Sequence, residues 1–260
     1  MIVYVCEDSL EGVFTGIYRA YEEKRDHRDT YISLTDEPML FAEYVEVAPD
    51  RQRTLKVINT LQRRFGEEDY VSLCMALASE DPEKAQAVYR TVVDGLQRSS
   101  RPGHLFDNLA QDSVHKAFSL ARGTSREICH LQGFVRFQEL EEKILYSAIC
   151  PKNNVLTFLM PHFADRLPRE NFVLYDDKRN LFGIHPAGRQ WYLLHGEEAV
   201  VPALCLSEEE EQYQELFRRF CRTIAIRERR NLSLQRNMLP LRFREYMPEF
   251  QNCPVGGNAQ

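Results

Sequence analysis

No two of the seven cysteines in this 260-residue chain stand in a C-x-x-C spacing; Cys6, Cys74, Cys129, Cys150, Cys205, Cys221 and Cys253 are scattered and odd in number. That argues against a disulfide framework and fits reduced thiols. It also removes the closely spaced thiolates from which local zinc and iron–sulfur sites are built, so neither a metal nor a cofactor is expected. Long apolar runs are missing too. Charge interrupts every one before the ~20 residues of a membrane span, and mean hydropathy is −0.45. The opening "MIVYVCEDSL" has no basic lead and no small-residue cleavage site, so a secretory signal is not expected and the cytoplasm is the expected location. Neither G-x-S-x-G, H-E-x-x-H, a Walker loop nor H-x-E with P-C-x-x-C occurs, so no local motif specifies a nucleophile or a metal.

What is present is a large apolar fraction, 43% of residues with 11% aromatic, enough to bury one elaborate core or two smaller ones. "MIVYVCE" reads as a buried strand and "DSLEGVFTGIYRAYEEK" as a helix with an Asp or Ser cap. A short strand at 31–34, the alternating "YVEVAPD", a helix through "RQRTLKVINTLQRRF" ended by Gly66, and a helix in "EEDYVSLCMALASE" follow. The next helix is expected to start with Ser79 or Asp81 as cap and Pro82 in its first turn. "FDNLAQDSVHKAFSLARGTSREICHL" reads as a long helix in which Gly123 is a possible break. "GFVRFQEL" and "ILYSAIC" read as strands, "NNVLTFLMPHFADRL" as a helix, "FVLYDD", "LFGIH" and "QWYLLH" as strands, and "SEEEEQYQELFRRFCRTIAIRERRN" as the last long helix.

The fold class is therefore α+β: a small N-terminal βαβα unit, then a mainly antiparallel sheet in ββαβββ order with long flanking helices. The expected divisions are 1–80, 81–250 and a frayed tail at 251–260.

"MPHFADRLP" holds the nearest thing to a reactive constellation. At 100° per residue Leu156, Leu159, Met160, Phe163 and Leu167 share the apolar face, while His162 and Asp165 fall opposite and Arg166 at the flank. Two readings stand: a solvated helix face, or an Asp165 that orients His162 as an acid or base. Asp176 and Asp177 end a strand, but adjacent carboxylates point to opposite faces there, which disfavours a shared metal.

Net charge is −6, unlike a general nucleic-acid coat, yet Arg218, Arg219, Arg222, Arg227, Arg229, Arg230, Arg236, Arg242 and Arg244 crowd the C-terminal part with no lysine among them. Arginine's planar fork suits phosphate or carboxylate, and Phe243, Tyr246 and Phe250 interleave with the last of them. Stacking on bases and clamping a tail to the protein's own acids are both open. His115, Ser119, Arg122, Arg126 and His130 share one face of the long helix. In a strand, Phe134 and Arg136 would share one side. Convergence of the helix cations with Arg136 on one anion is the phosphate-binding expectation.

The segments "SEDPEKAQAVYR", "VHKAFSLARGTSREICHLQGFVRFQELEEKILYSAI", "NNVLTFLMPHFADRLPRENFVLYDDKR" and "EEEEQYQELFRRFCRTIAIRERRNLSLQRNMLPLRFREYMPEF" together resemble a bacterial family of DNA metabolism or repair proteins encoded beside a radical-SAM protein. Its domain of unknown function, similar to about 80–250 here, is also found fused to uracil-DNA-glycosylase-like modules. The resemblance implies an accessory role in DNA repair or modification, with a radical-SAM partner, nucleic acid (single-stranded or damaged DNA), or both. It carries no catalytic residues over, and the C-x-x-x-C-x-x-C cluster of a radical-SAM enzyme is missing. An enzyme acting on a nucleotide or nucleic-acid phosphate through His162 and Asp165, and a non-catalytic scaffold, are the competing expectations.

Overall fold

The computed structural model describes residues 1–38, 40–99, 101–196, 205–229 and 231–250. Its compact packing falls into two units: Met1–Arg126 with Lys152–Asn154, and Glu127–Pro151 with the described residues from Val155 onward.

The first unit is built on a parallel sheet of order β2-β1-β3, from β1 (Ile2–Cys6), β2 (Thr30–Ser33) and β3 (Glu43–Val47). Such sheets are buried by helices. Here α1 (Leu10–Glu22) starts where Ser9 Oγ accepts from the Gly12 amide at 2.9 Å. Its Phe14 and Ile17 pack with Tyr4 and Ile32 of the sheet. α2 (Arg51–Phe65) is capped by Asp50, which takes the amides of Gln52 and Arg53. Gly66, at φ 86°, ends it and lets α3 (Glu67–Leu77) start at once. α4 (Lys84–Gln97) begins later than the sequence suggests: Asp81 accepts the Glu83 amide and Ser79 accepts the Asp81 amide, so Pro82 precedes the helix instead of opening it. The buried Lys84 donates to the Ser79 carbonyl and pairs with Asp8.

The long helix α5 (Asp112–Phe134) runs unbroken through Gly123 and on through Gly133. This corrects the strand expected in "GFVRFQEL": Phe134 is helical, Val135 still donates to the Leu131 carbonyl, and pairing is limited to β4 (Gln138–Glu139) and a single antiparallel bridge from Leu140 to Leu206. Helical hydrogen bonding outweighs the two-residue alternation there, so Phe134 and Arg136 do not share a strand face.

The second unit holds a mixed sheet of order β4-β5-β6-β7-β8, with β5 (Leu145–Ile149), β6 (Phe172–Asp176), β7 (Leu181–His185) and β8 (Tyr192–His195). The ββαβββ order is as expected. All its pairs are antiparallel except β5 with β6, where α6 (Leu156–Arg166) makes the crossover. α6 stays helical across Pro161 and buries Leu156, Leu159, Met160 and Phe163. Met160 lies over Gly183 of β7, where any Cβ would collide with its thioether.

The last long helix, expected over 207–231, ends early: α7 (Glu208–Ile224) stops at Ile224, and beyond it two short helices, α8 (Leu232–Met238) and α9 (Leu241–Arg244), follow among the described residues. The backbone turns extended at Ala225, and Asn231 caps α8 by accepting the Leu234 amide. The expected frayed tail at 251–260 lies outside the described residues.

Candidate interaction surfaces

α7 has the charge order that suits a helix dipole, with Glu208 to Glu211 in the first turn behind the Ser207 cap and Arg222 in the last. Tyr213, Leu216, Phe220 and Ile224 recur at spacings of three and four and form one stripe. That stripe faces outward: the four are 66%, 64%, 55% and 58% exposed. The side turned inward instead carries Gln214, buried and donating to Glu210, and Arg218, which donates to Gln214 and Glu215 beside half-buried Phe217 and Cys221. Ile226, Leu232, Leu234, Met238 and Leu241 extend the exposed apolar surface. A cavity of about 950 Å³ opens between Ile224, Ile226, Leu232, Met238 and Phe250, with Arg222, Arg229 and Arg244 at its wall.

Several arginines singled out from the sequence are committed within the protein. Arg242 pairs with the buried Glu127 at 3.1 Å and lies over the Phe243 ring. Arg244 donates to the Leu239 and Gln235 carbonyls, closing the end of α8, and stacks on Phe250. Arg136 donates from Nε to Glu249 and from Nη1 to the Gly133 and Val135 carbonyls. Arg236 and Arg166 are exposed and make no ion pair among the described residues. Arg230 and the side chain of Arg227 lie outside the described residues.

In the first unit, His115, Ser119, Arg122 and Arg126 are all exposed on α5, and among the described residues none of the three basic groups has an acidic partner. Arg122 rests over the Phe118 ring at 5.6 Å. His130, in the second unit, is half-buried and packs its ring against Phe134 at 5.7 Å and Phe243 at 6.2 Å. It is a member of an aromatic cluster.

His162 is half-buried with its ring edge-on to Phe163, and Asp165 is exposed. Among the described residues no hydrogen bond or ion pair joins them. Asp176 is fully buried and closed by Arg179, whose Nη1 and amide both reach its carboxylate. Burial pushes its pKa up against the pull of that arginine. Asp177 is exposed and accepts from the Tyr246 hydroxyl at 3.0 Å.

One surface went unread in the sequence. Strand alternation turns Ser147, Ile149, Phe172, Leu174, Asp176, Gly183 and His185 into the buried side of the second sheet. The opposite side carries two rows in register: Gln138, Tyr146, Val173, Ile184 and Tyr192, then Ala148, Tyr175, Phe182 and Leu194. All of them except Phe182 are half-buried or exposed. The tyrosines in "ILYSAI", "FVLYD" and "WYLLH" were the available signal.

Residues 82–249 match the DUF4130 family, described as a domain of unknown function. No curated protein matches the chain. The matched stretch begins just before α4 and takes in α5, the whole five-stranded sheet and α7 to α9. More than half of the chain is thus covered, and the protein belongs to the DUF4130 family.

Proposed function

We propose that this protein is an accessory factor in DNA repair or DNA modification that holds a partner enzyme through α7 and the helices after it. The observation that carries the reading is the outward apolar stripe Tyr213, Leu216, Phe220 and Ile224. An exposed apolar face of this size costs solubility unless a partner covers it, and an amphipathic helix with i, i+3, i+4 anchors is a recurrent way to dock one. Glutamates at one end of α7 and arginines toward the other give the stripe a charge order that fixes a partner's orientation. The family resemblance suggests the class of partner: a radical-SAM protein like the one encoded beside members of that family, whose cluster chemistry this chain's scattered cysteines do not reproduce.

Co-expression of the tagged chain with that radical-SAM protein tests the reading. Co-elution that is lost in the double variant Leu216→Glu, Phe220→Glu supports it. A wild-type chain that elutes alone overturns it.

A second reading, nucleic-acid binding, has its own observation: His115, Arg122 and Arg126 are exposed on one helix with no acidic partner among the described residues. Unpaired guanidinium groups in a row are what a phosphate backbone needs. A salt series with single-stranded DNA separates the two readings, since phosphate contacts weaken as salt rises and an apolar dock does not.

A further inference from the structure

We propose that the open side of the five-stranded sheet receives an unpaired nucleobase, in the hollow where β4 and β5 meet Tyr246. The inference rests on the nucleic-acid reading above and adds to it a second site and a ligand class.

The hollow has a volume of about 150 Å³ and is lined by Arg136, Gln138, Tyr146, Ser147, Ala148 and Tyr246. By liquid volume that is room for roughly five waters, the scale of a planar base and far short of a folded peptide. Gln138 and Tyr146 are directly opposed across β4 and β5, so both side chains rise from the same side of the sheet. The Tyr146 ring is half-buried, its hydroxyl has no protein partner among the described residues, and burial pushes its pKa up to about 12, with Tyr175 and Asp177 adding to the shift. It stays a neutral phenol with a free donor. Gln138 brings a carboxamide, which can both donate and accept. Tyr246 forms a further wall and is held in place by its bond to Asp177.

Arg136 decides between base and phosphate. Its Nε is used by Glu249 and its Nη1 by two carbonyls, so its charge is neutralised and most of its fork is occupied. A phosphate entering there would meet Glu249 as well as the guanidinium. What is left is a neutral, aromatic and amide-lined hollow, the composition by which unstacked bases are held: a ring to stack on and groups that read an edge. Phosphates fall to the separate row of Arg122 and Arg126.

The test measures binding of two dye-labelled oligonucleotides to the full-length protein across a salt series: oligo(dT), and a strand of equal length made of abasic sites, which keeps the phosphates and removes the bases. For Tyr146→Ala we expect about tenfold or greater loss of affinity for oligo(dT), an unchanged salt slope, and unchanged binding of the abasic strand. Tyr146→Phe should keep most of the affinity and Gln138→Ala should lose several-fold. If Tyr146→Ala fails to fold, the comparison of Gln138→Ala with wild type on the two strands carries the test. Wild-type affinity for oligo(dT) in both alanine variants would overturn the sheet site and leave the nucleic-acid reading standing. A wild-type protein that binds neither strand would overturn both.

Discussion

Arg136 donates from Nε to Oε1 of Glu249 at 3.1 Å, tying the residue just beyond α5 to a carboxylate 113 positions later in the chain. The Glu249 side chain is only 11% exposed and its other oxygen is buried without a hydrogen-bond partner among the described residues. Removing the arginine strands a nearly buried charge, so Arg136→Met should lower stability by about 1–3 kcal/mol. Its guanidinium is already engaged, so the salt dependence of oligonucleotide binding should not change. Urea unfolding and the salt series check the two halves separately. A stable variant with a flattened slope would show that Arg136 faces phosphate after all.

Arg122 and Arg126 should behave in the opposite way. Replaced together by glutamine, they should weaken single-stranded DNA binding and reduce its salt slope by about 0.7 per lost phosphate contact, with melting temperature nearly unchanged because both are exposed. Unaltered binding would remove α5 as a phosphate-contacting surface.

Ser147 lies on the buried side of β5 with its hydroxyl unpartnered among the described residues. An unmade buried hydrogen bond costs about 1–3 kcal/mol. Ser147→Ala, which removes the orphan and little volume, should leave stability equal or raise it by up to about 1 kcal/mol. A loss beyond that in thermal or urea unfolding would mean the hydroxyl has a partner, such as a bound water.

Tyr4 in the first unit donates to Glu23 at 2.8 Å. That bond is the largest influence on the Glu23 carboxyl, and with Arg19 and Arg25 it outweighs burial and holds the pKa below its ordinary 4.5. A carboxyl lowered on folding stabilises the protein above its unfolded value, and this stabilisation is lost as pH falls through the folded one. Between about pH 5 and pH 3 wild type should lose stability. Tyr4→Phe should be less stable at neutral pH by about 1 kcal/mol, given the exposure of Glu23. Its profile in that acid window should be shallower. Parallel profiles would exclude the pair as a source of acid sensitivity.

Local signals carried most of the fold. Short apolar runs marked β1, β5, β6 and β7, alternation marked β3, and Ser9, Gly66 and Ser207 marked helix ends with the side-chain or backbone chemistry such ends need. What failed was also local in origin. "FVRF" has a strand's alternation, but α5 already had a helical turn to extend. Nothing in "TIAIRERRN" announces the break at Ala225, whereas Asn231 is of a residue type that signals a helix start and does cap α8. For the sites, the exposed cations of α5 were legible because they depend only on helical spacing. The fates of Arg136, Arg242 and Arg244 were not, because Glu249, Glu127 and the Leu239 carbonyl become their partners only once the chain has folded.

The claim that the outward stripe of α7 is a partner's seat is tested most directly by amide hydrogen exchange on this protein with and without the radical-SAM protein. Slower exchange across Glu208–Ile224 and α8 in the complex, with the three-stranded sheet of the first unit unchanged, is the expected result. A complex that forms while α7 and α8 exchange as fast as in the free protein would contradict it.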